Sequence, residues 1–312
     1  MTNSLITVSI STFNRFNNLI ETIKSVVNQS YKNIEIIVVD DCSNDQTNLL
    51  NIKKFFPNED RIKYVKHEIN KGLASSRNTA LLHSKGTFFT YIDDDDLWEK
   101  NCLFDFVKYS KKYDKHYCFC GGIKYKKNKL LYKPTVMKLK TAIINGWTPP
   151  VSAQFYYKSS LVEVGGFNEK ITSGIDHDIW IKLSIRGYNI VFIEECVSIP
   201  NNDLNTFQMT TDFIKRTTGI SNSLELWKPI IIKNYSLNFF KHFENEYNKY
   251  LLKFFLLKSI KTYDIKLFLK IIFYKHNYRF FFIVLILMIE KFIKKNHYKH
   301  INPTFSKYDN VK

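Results

Sequence analysis

Cysteine is scarce in this chain, five residues in 312, and the count is odd. Cys42, Cys102, Cys118, Cys120 and Cys196 are scattered, which fits reduced thiols better than a disulfide framework. No second ligand cluster lies near Cys118 and Cys120, so zinc is not indicated; alternation at that spacing places both thiols on one face of a strand. Long hydrophobic runs are lacking too. Residues 280–289 are ten continuous apolar positions, about half of what a membrane-spanning helix requires. The first ten residues show no basic n-region, no long apolar stretch and no small-residue cleavage site, so a cytoplasmic chain is expected. Internal repeats are not visible. At 45% hydrophobic and 24% charged residues, the composition argues against disorder and leaves room for a core plus an accessory region.

What the chain does have is positive charge, and it is unevenly placed. Residues 201–312 carry 19 Lys and Arg against 8 Asp and Glu, which is +11 of the total +17. Within that third, Lys249, Lys253, Lys258, Lys261, Lys266 and Lys270 recur among Leu, Ile and Phe, giving a helix with one basic and one apolar face. Such helices lie in membrane interfaces. The expected partner is therefore an anionic membrane surface, with the protein peripheral on the inner face of the cytoplasmic membrane. The competing use of the same faces is core burial or a homodimer contact. Nucleic acid is not expected, because the lysines alternate with long aliphatic stretches and form no exposed stacking groove.

The first half of the chain reads as alternating strands and helices. Residues 5–10 and 34–39 are β-branched runs, and between them residues 17–28 place Leu19, Ile20, Ile23, Val26 and Val27 at helical spacing. A helix at 47–55, a strand at 62–66, a helix at 72–83 and a strand at 88–92 follow. If these strands are parallel, the loops after Ile10, Val39 and Ile92 meet at one sheet edge, where open α/β sheets bind ligands. Beyond residue 97 the pattern is mixed, with a helix at 98–111, strands at 117–124 and 154–157, a turn at Gly165-Gly166-Phe167, and a helix that has Asp176 in its first turn.

Asp93-Asp94-Asp95-Asp96 closes the strand at 88–92 with the densest negative charge in the chain. Adjacent carboxylates repel, and a hard divalent cation relieves that repulsion; the alternative is an acidic cap on the next helix. Asp40-Asp41 can accept from a base or ribose. Asn70-Lys71-Gly72 and Arg77 bring donors and positive charge to the start of a helix, where phosphate is favoured. A carboxylate such as Asp176, beside a metal site, can act as general base.

In order, these pieces resemble the family 2 glycosyltransferases with a GT-A fold. Val8-Ser9-Ile10-Ser11-Thr12-Phe13-Asn14-Arg15, Ser25-Val26-Val27-Asn28-Gln29-Ser30-Tyr31 and Ile37-Val38-Val39-Asp40-Asp41-Cys42-Ser43 are similar to the family's opening motifs. The stretch from Asn70 through Asn78, the run Tyr91-Ile92-Asp93-Asp94-Asp95-Asp96-Leu97-Trp98, Val164-Gly165-Gly166-Phe167-Asn168-Glu169 and the run from Asp176 to Trp180 continue the match, which spans residues 5–193. The resemblance implies an α/β GT-A fold, a Rossmann-like nucleotide-binding mixed sheet flanked by helices, with a helical C-terminal extension. Residues 1–200 would form the glycosyltransferase domain, 1–97 on the nucleotide-sugar side and 98–200 on the acceptor side, with 201–312 as the basic extension.

The same resemblance implies an inverting, metal-dependent transfer using Mn²⁺ or Mg²⁺. The donor would be a nucleotide diphosphate sugar, most commonly a UDP-sugar, and the acceptor a hydroxyl of a lipid-linked or growing surface glycan such as capsule, O-antigen or lipooligosaccharide. By similarity, Asp41 contacts the base, Thr12, Asn14 and Arg15 surround the nucleotide with Asn70 and Gly72, and Arg77 lies near base or diphosphate. Asp95 is the metal ligand, Asp93 sits nearer the ribose, and Asp94 and Asp96 support them; a tetrad also admits a one-residue shift. Asp176 would be the base. Ile175 stands where the family often has Glu, which leaves Asp178 as the alternative. Acceptor contacts fall near Trp147-Thr148-Pro149-Pro150 and Gln154. A nucleotidyltransferase would need a Gly-rich first loop, and residues 11–15 contain no glycine. A non-catalytic nucleotide- or glycan-binding protein would not need both Asp95 and Asp176.

Overall fold

The computed structural model describes residues 4–125, 128–130, 134–144, 150–200 and 213–262. The chain divides into two compact units. The first is built on one mixed sheet. Its opening half alternates strands and helices: β1 (Ile6–Thr12), α1 (Phe16–Val27), β2 (Ile34–Asp40), α2 (Leu49–Phe55), β3 (Ile62–Lys66), α3 (Leu73–His83) and β4 (Phe88–Asp93). β5 (Asp96–Trp98), α4 (Cys102–Ser110), β6 (Tyr117–Tyr125), β7 (Asn128–Leu130), β8 (Thr135–Lys138) and α5 (Leu139–Ile144) come next. A 3-10 turn (Val151–Ala153), β9 (Gln154–Tyr157), α6 (Lys158–Glu163), α7 (Ile175–Ile185) and β10 (Asn189–Pro200) complete the unit.

The sheet order is β3-β2-β1-β4-β9-β6-β10-β5, with β7 on β6 and β8 on β10. β1 runs parallel to both β2 and β4, and the registers pair Thr12 with Asp40 and Ser11 with Asp93. The polar loops after β1, β2 and β4 therefore leave the sheet side by side, as the parallel arrangement requires. α1 forms because Leu19, Ile20, Ile23 and Val26 repeat at helical spacing and are all buried. They join Val8, Ile10, Ile36, Phe88 and the α4 residues Leu103 and Phe106 in one core. The Phe106 ring lies 4.9 Å from Phe88, 5.3 Å from Phe119 and 4.5 Å from Phe155, so truncating it to Ala would cost about 3–5 kcal/mol.

Two sequence expectations are corrected here, and one alternative is set aside. The helix expected from residue 98 begins at Cys102, because Asp96–Trp98 instead pairs antiparallel with β10, Ser198 opposite Trp98. The cap of α4 is Asn101, so the tetrad is the turn between β4 and β5 and not a helix cap. The thiols are not all reduced: Cys102 and Cys196 lie with Cα atoms 4.1 Å apart and are joined as a disulfide. That pairing depends on α4 packing against β10, which no spacing in the sequence reveals. Cys118 and Cys120 are free, and both are buried on β6.

The second unit holds two helices, α8 (Phe213–Asn234) and α9 (Leu237–Thr262). Trp227 of the first stands 6.1 Å from Phe243 and 6.0 Å from Tyr247 of the second, ring centre to ring centre. Among the described residues no helix is long and apolar enough to cross a membrane. The side chains of Lys253, Lys258 and Lys261, along with Lys266, Lys270, residues 280–289 and the Trp147-Thr148-Pro149 segment, lie outside the described residues.

Candidate active site

Asp93 is the last residue of β4, and its backbone N–H donates to Ser152 Oγ at 3.0 Å. Ser152 in turn donates to Asp96. Asp94 accepts from Thr12 Oγ1 at 2.7 Å and from Arg15 Nη1 at 3.0 Å, while Asp95 accepts from the same Arg15 nitrogen at 3.1 Å. Burial raises the Asp93 carboxyl to about 6; Arg77 opposes the shift, and Asp95, Asp176 and Asp94 add to it. Asp94 also rises to about 6, through burial against the opposing pull of Arg15 and Thr12. Asp96 is pushed well above the usual carboxylate range by burial and then by Asp93. Negative charge is thus in excess at this turn even with Arg15 in contact.

That excess, together with an all-carboxylate donor set, suits a hard divalent cation. Among the described residues no group of three or more His, Cys, Asp or Glu side chains is arranged to hold a metal ion. A cation here would therefore draw on Asp95 and Asp93 and complete its shell from a diphosphate, the usual pattern for Mg²⁺. Asp93 is the more open of the two, its side chain 36% exposed.

The second strand end is a clamp. Asp41 Oδ1 accepts from the Lys71 N–H at 2.8 Å and meets His67 Nδ1 at 2.8 Å, and Asp41 Oδ2 accepts from the Gly72 N–H at 2.7 Å. Asn70 Nδ2 donates to the Asp41 carbonyl at 3.1 Å. Gly72 caps α3 with φ +87°, a left-handed conformation that glycine adopts without strain. Asp41, expected at the base, and Asn70 and Gly72, expected around the nucleotide, are thereby brought together, with both Asp41 oxygens holding the loop that starts α3. Asn14, at φ 54°, ties two loops together: its N–H donates to Ser43 Oγ and its side-chain oxygen accepts from the Asn44 N–H, each at 2.8 Å.

Arg77 stands alone in sequence but not in space. It is 1% exposed and bridges two acids, donating from Nη1 to Asp176 Oδ1 at 2.9 Å and from Nη2 to Asp93 Oδ1 at 3.2 Å. Its guanidinium also stacks 3.9 Å over the Tyr91 ring. Asp176 enters from the first turn of α7, whose cap Gly174 takes φ 82°. Asp178 faces elsewhere: it is buried and paired with Lys182 at 2.8 Å. The sequence reading named Thr12, Arg15, Arg77, Asp93, Asp94, Asp95 and Asp176, and all of them meet at this one edge.

It missed His67, Ser152, Tyr91 and the side chain of Gln154 as a network member. Tyr91 carried a signal, since it lies two residues before Asp93 on a strand and so shares its face. Its hydroxyl donates to Asp176 Oδ1 at 2.7 Å, and burial, reinforced by Asp176, keeps the phenol well above its ordinary value. Nothing in the local sequence marks Ser152 or Gln154.

Comparison with known proteins agrees with this geometry. The glycosyl transferase family 2 profile matches residues 7–166. The Escherichia coli (strain K12) protein named putative colanic acid biosynthesis glycosyl transferase WcaA is 27% identical over 220 residues, covering 67% of this chain and 76% of the relative. The Escherichia coli protein named UDP-Glc:alpha-D-GlcNAc-diphosphoundecaprenol beta-1,3-glucosyltransferase WfgD is 36% identical over 103 residues, 33% of this chain and 40% of the relative. Among solved structures, S. aureus TarS superposes with a TM-score of 0.60 at 21% identity, covering 80% of this chain and 43% of TarS. A shorter TarS chain in complex with UDP-GlcNAc gives 0.54 at 17% identity, covering 94% and 93%. The sheet order, the acid turn and the profile match lead to one conclusion: the chain belongs to glycosyl transferase family 2 and is a glycosyltransferase of GT-A fold.

Proposed function

We propose that the chain moves a sugar from a UDP-sugar to a hydroxyl of a bacterial surface glycan or its lipid-linked precursor, with inversion at the anomeric carbon. The observation that carries this reading is the bridge Asp93–Arg77–Asp176, which fixes one carboxylate at a set distance from the acid turn. Asp176 Oδ1 takes two donors, so its other oxygen is the one offered to the acceptor hydroxyl, and Asp176 serves as the general base. Thr12 and Arg15 hold Asp94 and Asp95 in place, and Arg15 adds positive charge beside the leaving diphosphate. A divalent cation, Mn²⁺ or Mg²⁺, bound at Asp95 and Asp93 would supply the remaining neutralisation of that diphosphate. Holding base and leaving group in line is the chain's main contribution.

The donor and acceptor classes are supported by the relatives' names. WfgD is named for UDP-Glc and a diphosphoundecaprenol-linked GlcNAc, WcaA for colanic acid, and TarS crystallises with UDP-GlcNAc. A lipid-linked acceptor puts the enzyme on the inner face of the cytoplasmic membrane as a peripheral protein, its basic C-terminal residues toward anionic lipid. Nucleotide release from a panel of UDP- and other nucleotide sugars, with Mn²⁺ and with chelator, tests the reading. Turnover of a UDP-sugar that chelator abolishes is expected. Full turnover in chelator contradicts the cation, and no turnover with any UDP-sugar contradicts the donor.

A further inference from the structure

Asp176 is held by a second donor whose direction is set by its neighbours. The Tyr91 hydroxyl lies 2.7 Å from Asp176 Oδ1 and 2.9 Å from Gln154 Oε1, and a phenol has only one proton to give. Gln154 Oε1 already accepts from the Tyr156 hydroxyl at 2.6 Å. Trp180 Nε1 lies 2.7 Å from the Tyr156 oxygen and 3.0 Å from Gln154 Oε1, so its single N–H is shared between them. The Gln154 amide nitrogen points the other way, to the Pro150 carbonyl at 3.3 Å. Of the two acceptors the Asp176 carboxylate is the closer and the charged one, so the Tyr91 proton goes to Asp176.

We infer that Tyr91, whose hydroxyl lies between Gln154 and Asp176, is a positioning residue that fixes which oxygen of the Asp176 carboxylate receives the acceptor's proton. Arg77 and Tyr91 together saturate Oδ1, so the carboxylate cannot turn to present that oxygen without losing two buried hydrogen bonds. Tyr91 also lies under the Arg77 guanidinium, so one ring sets the position of both partners of the acid. The inference rests on the reading of Asp176 as the base. It adds a requirement that this reading does not contain: the transfer step depends on a phenol hydroxyl that touches no substrate.

Steady-state kinetics of Tyr91→Phe in the full chain test it, with melting temperature and nucleotide affinity measured alongside. Phe keeps the ring beneath Arg77 and removes only the hydroxyl. We expect kcat to fall about tenfold while KM for donor and acceptor and the nucleotide Kd hold within about twofold, a split that a general packing defect does not produce. Gln154→Glu, which sets a competing acceptor beside the same hydroxyl, should lower kcat in the same way and carries the test if Tyr91→Phe does not fold. Adding Tyr91→Phe to Asp176→Asn should cause no further loss, because the hydroxyl acts through that carboxylate. Wild-type kcat in Tyr91→Phe, or a loss confined to KM, overturns the inference while leaving an inactive Asp176→Asn, and so the base, intact. Full turnover in Asp176→Asn overturns the base itself.

Discussion

Two arginines meet the same acid turn and are held in opposite ways. Arg15 comes from the loop before α1, keeps 23% of its side chain exposed, and reaches Asp94 and Asp95 through one nitrogen. Arg77 comes from within α3, is 1% exposed, and uses separate nitrogens for Asp93 and Asp176. Solvent reaches the first pair from the arginine side alone, since Asp94 and Asp95 are 6% and 11% exposed, so it contributes more than the about 0.2–1 kcal/mol of an exposed ion pair. Arg77 is fully enclosed and its partner Asp176 is 16% exposed, and removing one partner of such a pair costs about 3–5 kcal/mol because the other charge is stranded. Arg15 is thus suited to share its charge with an incoming diphosphate, whereas Arg77 is a strut that holds the acid turn and α7 in register.

The sharpest way to break this comparison is Arg77→Met. It should lower stability by about 3–5 kcal/mol and abolish turnover, read by denaturant unfolding and by nucleotide release; a variant as stable as wild type would show that Arg77 is not a strut. Arg15→Gln should lower stability less than Arg77→Met does and raise the donor KM about tenfold, the scale of one charge-assisted contact. Equal losses of stability in the two variants would erase the distinction.

The acid turn itself predicts a smaller, pH-dependent effect. Asp93 and Asp94 have folded-state values of about 6, above the ordinary 3.8. Each binds its proton more tightly folded than unfolded, so each favours folding fully below about pH 4 and loses that contribution as pH rises through about 6. In chelator, these two groups should make the protein melt higher near pH 5 than near pH 7.5, and Mn²⁺ should raise melting at the higher pH more than at the lower. An equal Mn²⁺ effect at both pH values would place the cation elsewhere.

How much of this was legible in the sequence follows from where each signal resides. β1 to β4 and α1 to α3 could be read because β-branched runs alternate with amphipathic stretches, and their parallel order then put Thr12, Asp41 and Asp93 at one edge. The second half was harder. β5 is three residues long and exists only because β10 pairs with it, and β10 itself carries a register shift between Phe192 and Val197 that breaks simple alternation. The site acids carry local patterns, and Asp176, the acid that the resemblance names, is the one that reaches Arg77, whereas Asp178 pairs with Lys182. Ser152 meets Asp96, and Gln154 meets Tyr91, across more than fifty residues, so no local pattern ties them to the site.

The most direct measurement compares Asp176→Asn with Asp178→Asn, following transfer from a UDP-sugar and, separately, nucleotide affinity. Asp176→Asn should lose about 10²–10⁴-fold in turnover with nucleotide affinity within about twofold, while Asp178→Asn, which loses its ion pair with Lys182, should stay within about threefold of wild type. Turnover retained in Asp176→Asn, or lost in Asp178→Asn alone, would contradict the assignment of Asp176 as the base.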